Sequence, residues 1–269
     1  MFWNAKNGEV DLGDTKMSYV SFGYGDKALI LIPGLTDGLV TVRGRAFMLA
    51  KPYEIFYDKY TVYMFSRKDD MPEDYPIREM AHDQAKAMEI LGITKASIVG
   101  VSEGGMIAQY LAIDHPGLID KLILAVTVPC VNDVIRESVG NYLEFAKKGD
   151  HQGLMIATAE NSYSPARLQK YKKFYPILGL VGKPANYSRF FINGNAILGF
   201  DARADLNKIT CPTLIIGGED DRVLGIQGSY DLHDMIAGSE LHTYPGLGHA
   251  AFEEAPDFNK RIFEFVERE

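Results

Sequence analysis

The sequence predicts an α/β fold in which a mainly parallel sheet carries helices on both faces. Apolar runs such as residues 28–33 are continuous, as expected for strands buried on both sides. They alternate with helical patterns such as residues 77–91, and this alternation is typical of right-handed βαβ crossovers. The chain has 269 residues, 46% of them hydrophobic, which suits one globular domain or one domain with a large insertion.

The first half of the chain contains five predicted strands. Residues 16–22 alternate polar and apolar side chains, which predicts a half-exposed strand. Residues 77–91 predict a helix with one apolar stripe, and Gly92 follows as a plausible stop. The stripe consists of Ile77, Met80, Ala81, Met88 and Leu91. The remaining elements are strands at 28–33, 61–65, 96–101 and 121–126 and a helix at 103–114.

The alternation stops after residue 127 and returns near residue 212. Residues 130–204 contain aromatic-rich helical patterns but no clear buried strand. We therefore expect a helical cap at 130–204, inserted into a core domain made of residues 1–129 and 205–269. Ligands of open α/β sheets bind at the carboxyl ends of the strands, so functional residues are expected directly after strands. The later predicted elements are strands at 212–217 and 239–244, a helix near 226–236 and a closing helix from about 251.

Charge and composition limit the partners. A formal net charge of −8 and a pI of about 5.3 argue against nucleic acid as a main partner. Cys130 and Cys211 cannot form a disulfide framework, and the first residues lack a signal-peptide pattern. No apolar run approaches the ~18 residues of a membrane helix. We expect a cytoplasmic monomer or homodimer with no nucleic acid or membrane partner.

Ser102 stands where a nucleophile is expected. It follows a predicted buried strand and precedes a predicted helix, within the sequence Gly100-Val101-Ser102-Glu103-Gly104. Such a strand–turn–helix places the serine hydroxyl at the edge of the sheet, and the flanking glycines avoid Cβ clashes. The free N–H groups at the helix start favour negative charge beside the serine.

His249 is the candidate base among six histidines. A serine hydroxyl needs a base, and the base needs an acid that orients it. His249 follows the last predicted strand in the Gly-rich loop Y-P-G-L-G-H. The others have structural explanations as helix, strand or cap residues: His82, His115, His151, His233 and His242.

The acid is sought after the strand at 212–217. The order serine, aspartate, histidine along the chain is the order expected when a serine nucleophile stands in a strand–turn–helix elbow. We favour Asp221 because its spacing carries the carboxylate past the end of the strand. Asp220 is then a solvated turn residue, and Asp133, after the preceding strand, is a weaker alternative.

An oxyanion hole requires two N–H donors. One candidate is the backbone amide of Glu103, and the other is that of Leu35 in the loop L-I-P-G-L-T-D-G, where Gly34 permits a close approach. Thr36 adds a hydroxyl or stabilises the turn. No phosphate-binding loop, dinucleotide fingerprint or convincing metal-ligand spacing is found, so no cofactor and no metal are expected.

These motifs give the chain a resemblance to the α/β-hydrolase superfamily over essentially its whole length. The residues that carry it are L-I-P-G-L, G-V-S-E-G-G-M, L-I-I-G-G-E-D-D-R-V and G-L-G-H-A-A-F-E-E-A-P-D-F. The resemblance implies an eight-stranded core, a helical lid after strand six and a Ser102–His249–Asp221 triad. Pro33-Gly34 replaces the His-Gly of many relatives, and S-R-K-D-D-M-P departs from the family's usual motif after strand four.

The resemblance implies a serine esterase for small to medium acyl groups, because the oxyanion loop carries the single Gly34-Leu35 step. An enol-lactonase-like hydrolase of lactones or carbon–carbon bonds and a slowly turning ligand receptor are the alternatives. The cap is expected to select the substrate, a small-molecule ester, through aromatic residues, although packing against the core explains each of these as well. Cap cations at 167–173 fit a solvated helix face or a site that attracts carboxylates. The candidate pocket residues are Thr36, Tyr142, Tyr163, Phe174 and Phe190.

Overall fold

Eight strands form one sheet in the order β1-β2-β4-β3-β5-β6-β7-β8. The computed structural model describes residues 2–268. Strands β3 to β8 pair in parallel, whereas β1 and β2 pair antiparallel at one side of the sheet. The strands are β1 (Lys6–Asp11), β2 (Lys16–Gly23), β3 (Lys27–Ile32), β4 (Tyr60–Lys68), β5 (Ala96–Val101), β6 (Ile119–Ala125), β7 (Thr213–Gly218) and β8 (Glu240–Tyr244).

Eleven α-helices and several short 3₁₀ turns connect the strands within the described residues 2–268. The 3₁₀ turn Leu35–Gly38 follows β3. The helices are α1 (Ala46–Ala50), α2 (Ile77–Ile90), α3 (Glu103–Asp114), α4 (Asp133–Lys147), α5 (His151–Ser162), α6 (Pro165–Tyr171), α7 (Tyr175–Leu178), α8 (Ser188–Leu198), α9 (Gln227–Met235), α10 (Ala251–Glu254) and α11 (Phe258–Val266).

The central strands are buried on both faces, as their continuous apolar runs predict. In β3, Ile30 and Ile32 belong to a core cluster beneath α2 and α3, whereas Leu29 and Leu31 belong to a cluster beneath α1 and α11. Side chains of a strand alternate between faces, so a strand between two helical layers must be apolar at every position. The α/β fold with its mainly parallel eight-stranded sheet is therefore confirmed.

Two features of the antiparallel side differ from the prediction. Strand β1 gave no apolar pattern because most of its residues are exposed at the sheet edge. Strand β2 was predicted to be half exposed, but all of its residues except Lys16 and Tyr19 are buried. The serines on its polar face are covered, and the hydroxyl of Ser18 accepts a hydrogen bond from Arg43 Nε at 3.0 Å.

Five helices, α4 to α8, lie between β6 and β7, where the sequence predicts a cap. Their buried apolar residues, including Val139 and Ile197, join the same cluster that lies beneath α2 and α3. We refer to residues 130–204 as the cap and retain these boundaries, with the core at 1–129 and 205–269, as a proposal.

Candidate active site

Ser102 occupies a strained turn between β5 and α3. Its backbone has φ 57° and ψ −122°, a region that residues other than glycine rarely adopt. A Cβ atom at Gly104 would lie 1.9 Å from the carbonyl oxygen of Ile32, so only glycine permits this close approach. The Ser102 carbonyl accepts hydrogen bonds from Gly105 N and Thr127 Oγ1, both at 2.8 Å. The turn is therefore held by α3 and by the segment that follows β6.

The structure brings His249 to Ser102. His249 Nε2 lies 3.0 Å from Ser102 Oγ, although the two residues are 147 positions apart. The imidazole is 10% exposed, in the loop between β8 and α10. It lies within the distance at which a general base removes a hydroxyl proton.

Asp221, the aspartate favoured from the sequence, lies against the other side of the His249 ring. Its Oδ2 lies 2.8 Å from His249 Nδ1, and its Oδ1 accepts hydrogen bonds from the amides of Val223 and Leu224. Burial alone would raise the pKa of Asp221, but the attraction of His249 and these hydrogen bonds outweigh it and lower the pKa. Asp221 is therefore held ionised. The alternatives Asp220 and Asp133 are exposed.

The other histidines lie in different surroundings. His82 Nδ1 is 2.8 Å from His115 Nε2, and His233 Nδ1 is 3.0 Å from Ser239 Oγ. The rest contact the cap or the sheet: His151 Nε2 lies 2.8 Å from the Val181 carbonyl, and the ring of His242 packs edge-on against Tyr244. Only His249 contacts Ser102 among the histidines of residues 2–268.

The two predicted oxyanion donors are the first residues of their helical turns. Leu35 begins the 3₁₀ turn after β3, and Glu103 begins α3. Amides at such positions have no partner within the helix, so they can serve an anion. A Cβ atom at Gly34 would lie 3.5 Å from Ser102 Oγ, so this loop passes directly beside the serine. The oxyanion role of Leu35 and Glu103 stays a prediction.

The sequence did not predict the charged side chains that pack against the loop after β3. We call the 3₁₀ turn Leu35–Gly38 the oxyanion turn, after its predicted role. The carboxylate of Asp37, on this turn, accepts hydrogen bonds from Arg67 N at 3.0 Å and from Arg189 Nη2 at 2.7 Å. Arg189, on cap helix α8, also donates to the carbonyls of Asp37, Arg67 and Lys68. The oxyanion turn is thus tied to the cap by a nearly buried ion pair.

Glu103 has a buried side chain as well as its predicted backbone role. Its Oε2 lies 3.0 Å from Arg67 Nη2, and both side chains are fully buried. The contact lacks hydrogen-bond geometry, and neither charged group has a hydrogen-bond partner elsewhere in the described part of the chain. Burial raises the pKa of Glu103, and Arg67 offsets only part of this rise. The two side chains therefore form an ion pair that is fully enclosed by the protein.

The candidate pocket residues occupy different places. Tyr142 is buried and accepts a hydrogen bond from Asn161, and burial, with a contribution from Asp221, raises its pKa to about 12. Phe190 is buried where α8 packs against Gly38 of the oxyanion turn. Tyr163 Oη lies 2.6 Å from Glu253, and Thr36 is exposed.

Phe174 lies away from these buried positions. Its side chain is 44% exposed, with Lys173 Nζ 5.0 Å from the ring centroid. Its location favours an outer surface of the cap over a buried pocket wall.

The arrangement can remove a proton from a serine hydroxyl and stabilise the resulting imidazolium, which is the chemistry of nucleophilic acyl transfer. In residues 2–268, no three His, Cys, Asp or Glu side chains are grouped so that they could hold a metal ion. Within the same range, no helix is long and apolar enough to cross a membrane.

Comparison with known proteins places the chain in a family. A 2-hydroxy-6-oxononadienedioate/2-hydroxy-6-oxononatrienedioate hydrolase from a Pseudomonas species is 28% identical over 212 residues, covering 73% of this chain and 74% of the relative. An enol-lactonase from Burkholderia xenovorans superposes with a TM-score of 0.80 at 19% identity, covering 97% of this chain and all of that one. An esterase from Exiguobacterium antarcticum gives 0.75 at 22%, with 98% and 100% coverage.

The two solved structures share the fold of this chain over 97% and 98% of its length. The family model described as alpha/beta hydrolase fold matches residues 27–256, which is well over half of the chain. That range contains Ser102, Asp221 and His249 together with the whole cap. The chain therefore belongs to the α/β-hydrolase family and is a hydrolase by its fold and its relatives.

Proposed function

We propose that the protein is a serine hydrolase that cleaves small to medium carboxylic esters through an acyl-enzyme. One observation carries this proposal: the continuous contact from Ser102 Oγ through His249 to Asp221, with distances of 3.0 and 2.8 Å. An imidazole placed between a hydroxyl and a buried carboxylate is the arrangement that makes serine nucleophilic. The strained backbone of Ser102 supports the same role, because strain of this kind gathers at functional sites.

In this mechanism His249 Nε2 takes the proton of Ser102 as its oxygen attacks the ester carbonyl. The amides of Leu35 and Glu103 then donate hydrogen bonds to the oxyanion. His249 gives the proton to the departing alcohol, and a water molecule attacks the acyl-enzyme by the same route. Asp221 accepts from His249 Nδ1 throughout, which fixes the tautomer and stabilises the imidazolium.

The oxyanion turn supports a substrate with a modest acyl group. Gly34 lies against Ser102. The oxyanion turn that follows Gly34 packs against Phe190 of α8, and its Asp37 forms an ion pair with Arg189. The loop after β3 carries the single Gly34-Leu35 step, which supports a small to medium acyl group.

A second candidate is the hydrolysis of a lactone or a carbon–carbon bond by the same residues. The Pseudomonas relative is named as a 2-hydroxy-6-oxononadienedioate/2-hydroxy-6-oxononatrienedioate hydrolase, and the Burkholderia structure is that of an enol-lactonase. Both reactions also pass through a tetrahedral oxyanion, so the triad alone does not separate them. The substrate must therefore be found by assay.

The experiment combines a fluorophosphonate label with a substrate panel. Labelling of Ser102 is located by peptide mass, and turnover is measured on p-nitrophenyl acetate, butyrate and octanoate, on simple lactones and on a vinylogous diketone. We expect labelling and fastest turnover on the short esters. Ser102→Ala should abolish labelling and lower kcat by several orders of magnitude.

The chain offers matched controls for the other two residues. His249→Ala and Asp221→Asn should each lower kcat by about a thousandfold or more, whereas His82→Ala and Asp220→Asn should leave it unchanged. Preference for the lactone or diketone would select the second candidate. Labelling with less than one turnover per minute on every substrate would favour a ligand receptor, and an unlabelled Ser102 would refute the nucleophile.

A further inference from the structure

One face of the cap combines exposed apolar side chains with unpaired cations. The exposed fractions are 44% for Phe174, 52% for Ile177, 82% for Leu180 and 48% for Val181. The neighbouring cations are also exposed. We call this set the cap ridge: Arg167, Lys170, Lys172, Lys173, Lys183, Phe174, Ile177, Leu180 and Val181.

Three of the four apolar members lie on one side of a continuous turn. Phe174, Ile177 and Leu180 are spaced three residues apart, and Leu180 N donates to the Ile177 carbonyl at 3.0 Å. Leu178, on the other side, is only 2% exposed and packs inward. The segment therefore has a buried side that anchors it and a second apolar side whose residues stay 44–82% exposed in the structure of residues 2–268.

The charge of this region is opposite to that of the whole protein. Residues 161–200 contain six Lys or Arg and no Asp or Glu, in a chain with a net charge of −8. None of the five ridge cations forms an ion pair within residues 2–268. Nearby acids have other partners: Glu160 accepts from Tyr175, Glu253 from Tyr163 and Glu254 from Ser164. The ridge is thus a cationic face on an acidic protein.

The cap segment that carries the ridge, residues 162–183, contacts two loops next to the candidate active site. At its start, the Ser162 carbonyl accepts a hydrogen bond from Ala250 N, next to His249. At its end, a Cβ atom at Gly182 would lie 3.1 Å from Val40, directly beyond the oxyanion turn. The segment that carries the ridge is therefore attached at both ends to loops that also carry candidate site residues.

We propose that the cap ridge docks the protein onto an anionic lipid surface. Exposed aliphatic and aromatic side chains enter the headgroup region while the surrounding cations pair with anionic headgroups. The acidic remainder of the protein is repelled and points away from the surface. A second copy is a poor occupant, because two ridges would place like charges together, and nucleic acid would leave the aliphatic side chains uncovered. The proposal replaces the expectation that the protein has no membrane partner.

The test measures co-sedimentation with vesicles of phosphatidylcholine alone or with half of the lipid replaced by phosphatidylglycerol. Ser102→Ala protein is used, so binding is measured apart from catalysis. We expect at least tenfold stronger binding to the anionic vesicles, lost in 0.5 M NaCl. Lys172→Glu with Lys173→Glu should weaken binding at least about tenfold, since each lysine near such a surface contributes about fivefold.

Matched variants define what would overturn the proposal. The control pair Lys6→Glu with Lys51→Glu changes two exposed lysines of the core domain that form no ion pair within residues 2–268. This pair of changes should leave binding unchanged. Leu180→Ser should weaken binding, whereas Met48→Ser, 59% exposed on α1, should not. Equal effects of ridge and control variants, or equal binding to neutral vesicles, would refute docking. Self-association that Leu180→Ser abolishes, without vesicle binding, would assign the ridge to a second copy.

Failure of the proposed hydrolase would look different. Vesicle binding that persists in a protein without esterase activity would retain the ridge and reject the function. Esterase activity on soluble p-nitrophenyl butyrate without vesicle binding would do the reverse.

Discussion

The ion pair between Arg189 and Asp37 makes a sharp prediction for stability. The side chain of Asp37 is 1% exposed and that of Arg189 is 18% exposed, at an Nη2–Oδ2 distance of 2.7 Å. Replacing Arg189 with Met keeps an unbranched apolar stem but removes the charge of the side chain and its four hydrogen bonds. Asp37 is then a buried carboxylate without its main counter-charge.

The expected cost is large because a buried charge is left behind. Removing one partner of a buried pair costs about 3–5 kcal/mol, which corresponds to a fall in Tm of roughly 10 °C for a chain of this size. Urea denaturation followed by circular dichroism gives the free energy of unfolding. The matched control is Arg203→Met, which breaks a pair with exposed fractions of 55% and 48% and should cost less than about 1 kcal/mol.

The double variant Arg189→Met, Asp37→Asn tests the reason for the cost. If the uncompensated carboxylate dominates, the double variant should be about 1–3 kcal/mol more stable than the two single effects added together. Equal costs for Arg189→Met and Arg203→Met, or simple additivity in the cycle, would refute the reasoning.

Three further predictions concern the elbow and the buried carboxylates. Gly104→Ala should abolish activity or folding because its Cβ would lie 1.9 Å from the Ile32 carbonyl oxygen, whereas Gly117→Ala, with open space around it, should be neutral in activity and Tm. Glu103→Gln should lower the free energy of unfolding in urea by about 3 kcal/mol, because Arg67 is left buried without its counter-charge. A decrease of less than about 1 kcal/mol would show that Glu103 is not the counter-charge of Arg67. The folded state lowers the pKa of Asp221, so the stability that its charge contributes should be present above about pH 4 and vanish as the pH falls further; an Asp221→Asn variant whose stability relative to wild type is independent of pH would contradict this.

The catalytic candidates were predictable because each carries a local sequence signal. Ser102 and His249 follow predicted strands in Gly-rich turns, and the ends of neighbouring parallel strands meet at one edge of a sheet. Asp221 was preferred over Asp220 by its spacing alone, and the structure gives it the contact with His249. Local pattern and topology thus sufficed to predict that these three side chains meet, and their catalytic roles stay a prediction.

The buried charges were not predictable in the same way. Arg189 reaches Asp37 across 152 positions, and the pairing of two charges depends on how the cap packs, which leaves no periodic pattern in the sequence. The exposed strand β1 was missed because an edge strand needs no apolar face. Phe174 is a pocket candidate because it belongs to the aromatic-rich cap, but it is 44% exposed in the structure.

The long separation between Ser102 and His249 has a consequence for biosynthesis. The elbow is complete in sequence 147 residues before the base is made. At about 5–20 residues per second, the nascent chain spends roughly 7 to 30 seconds with a candidate nucleophile that has no partner. Strand β7 must join β6, and β8 must join β7, before the imidazole can reach the hydroxyl. A ribosome-bound fragment should therefore resist the fluorophosphonate label until the last strand has been added to the sheet.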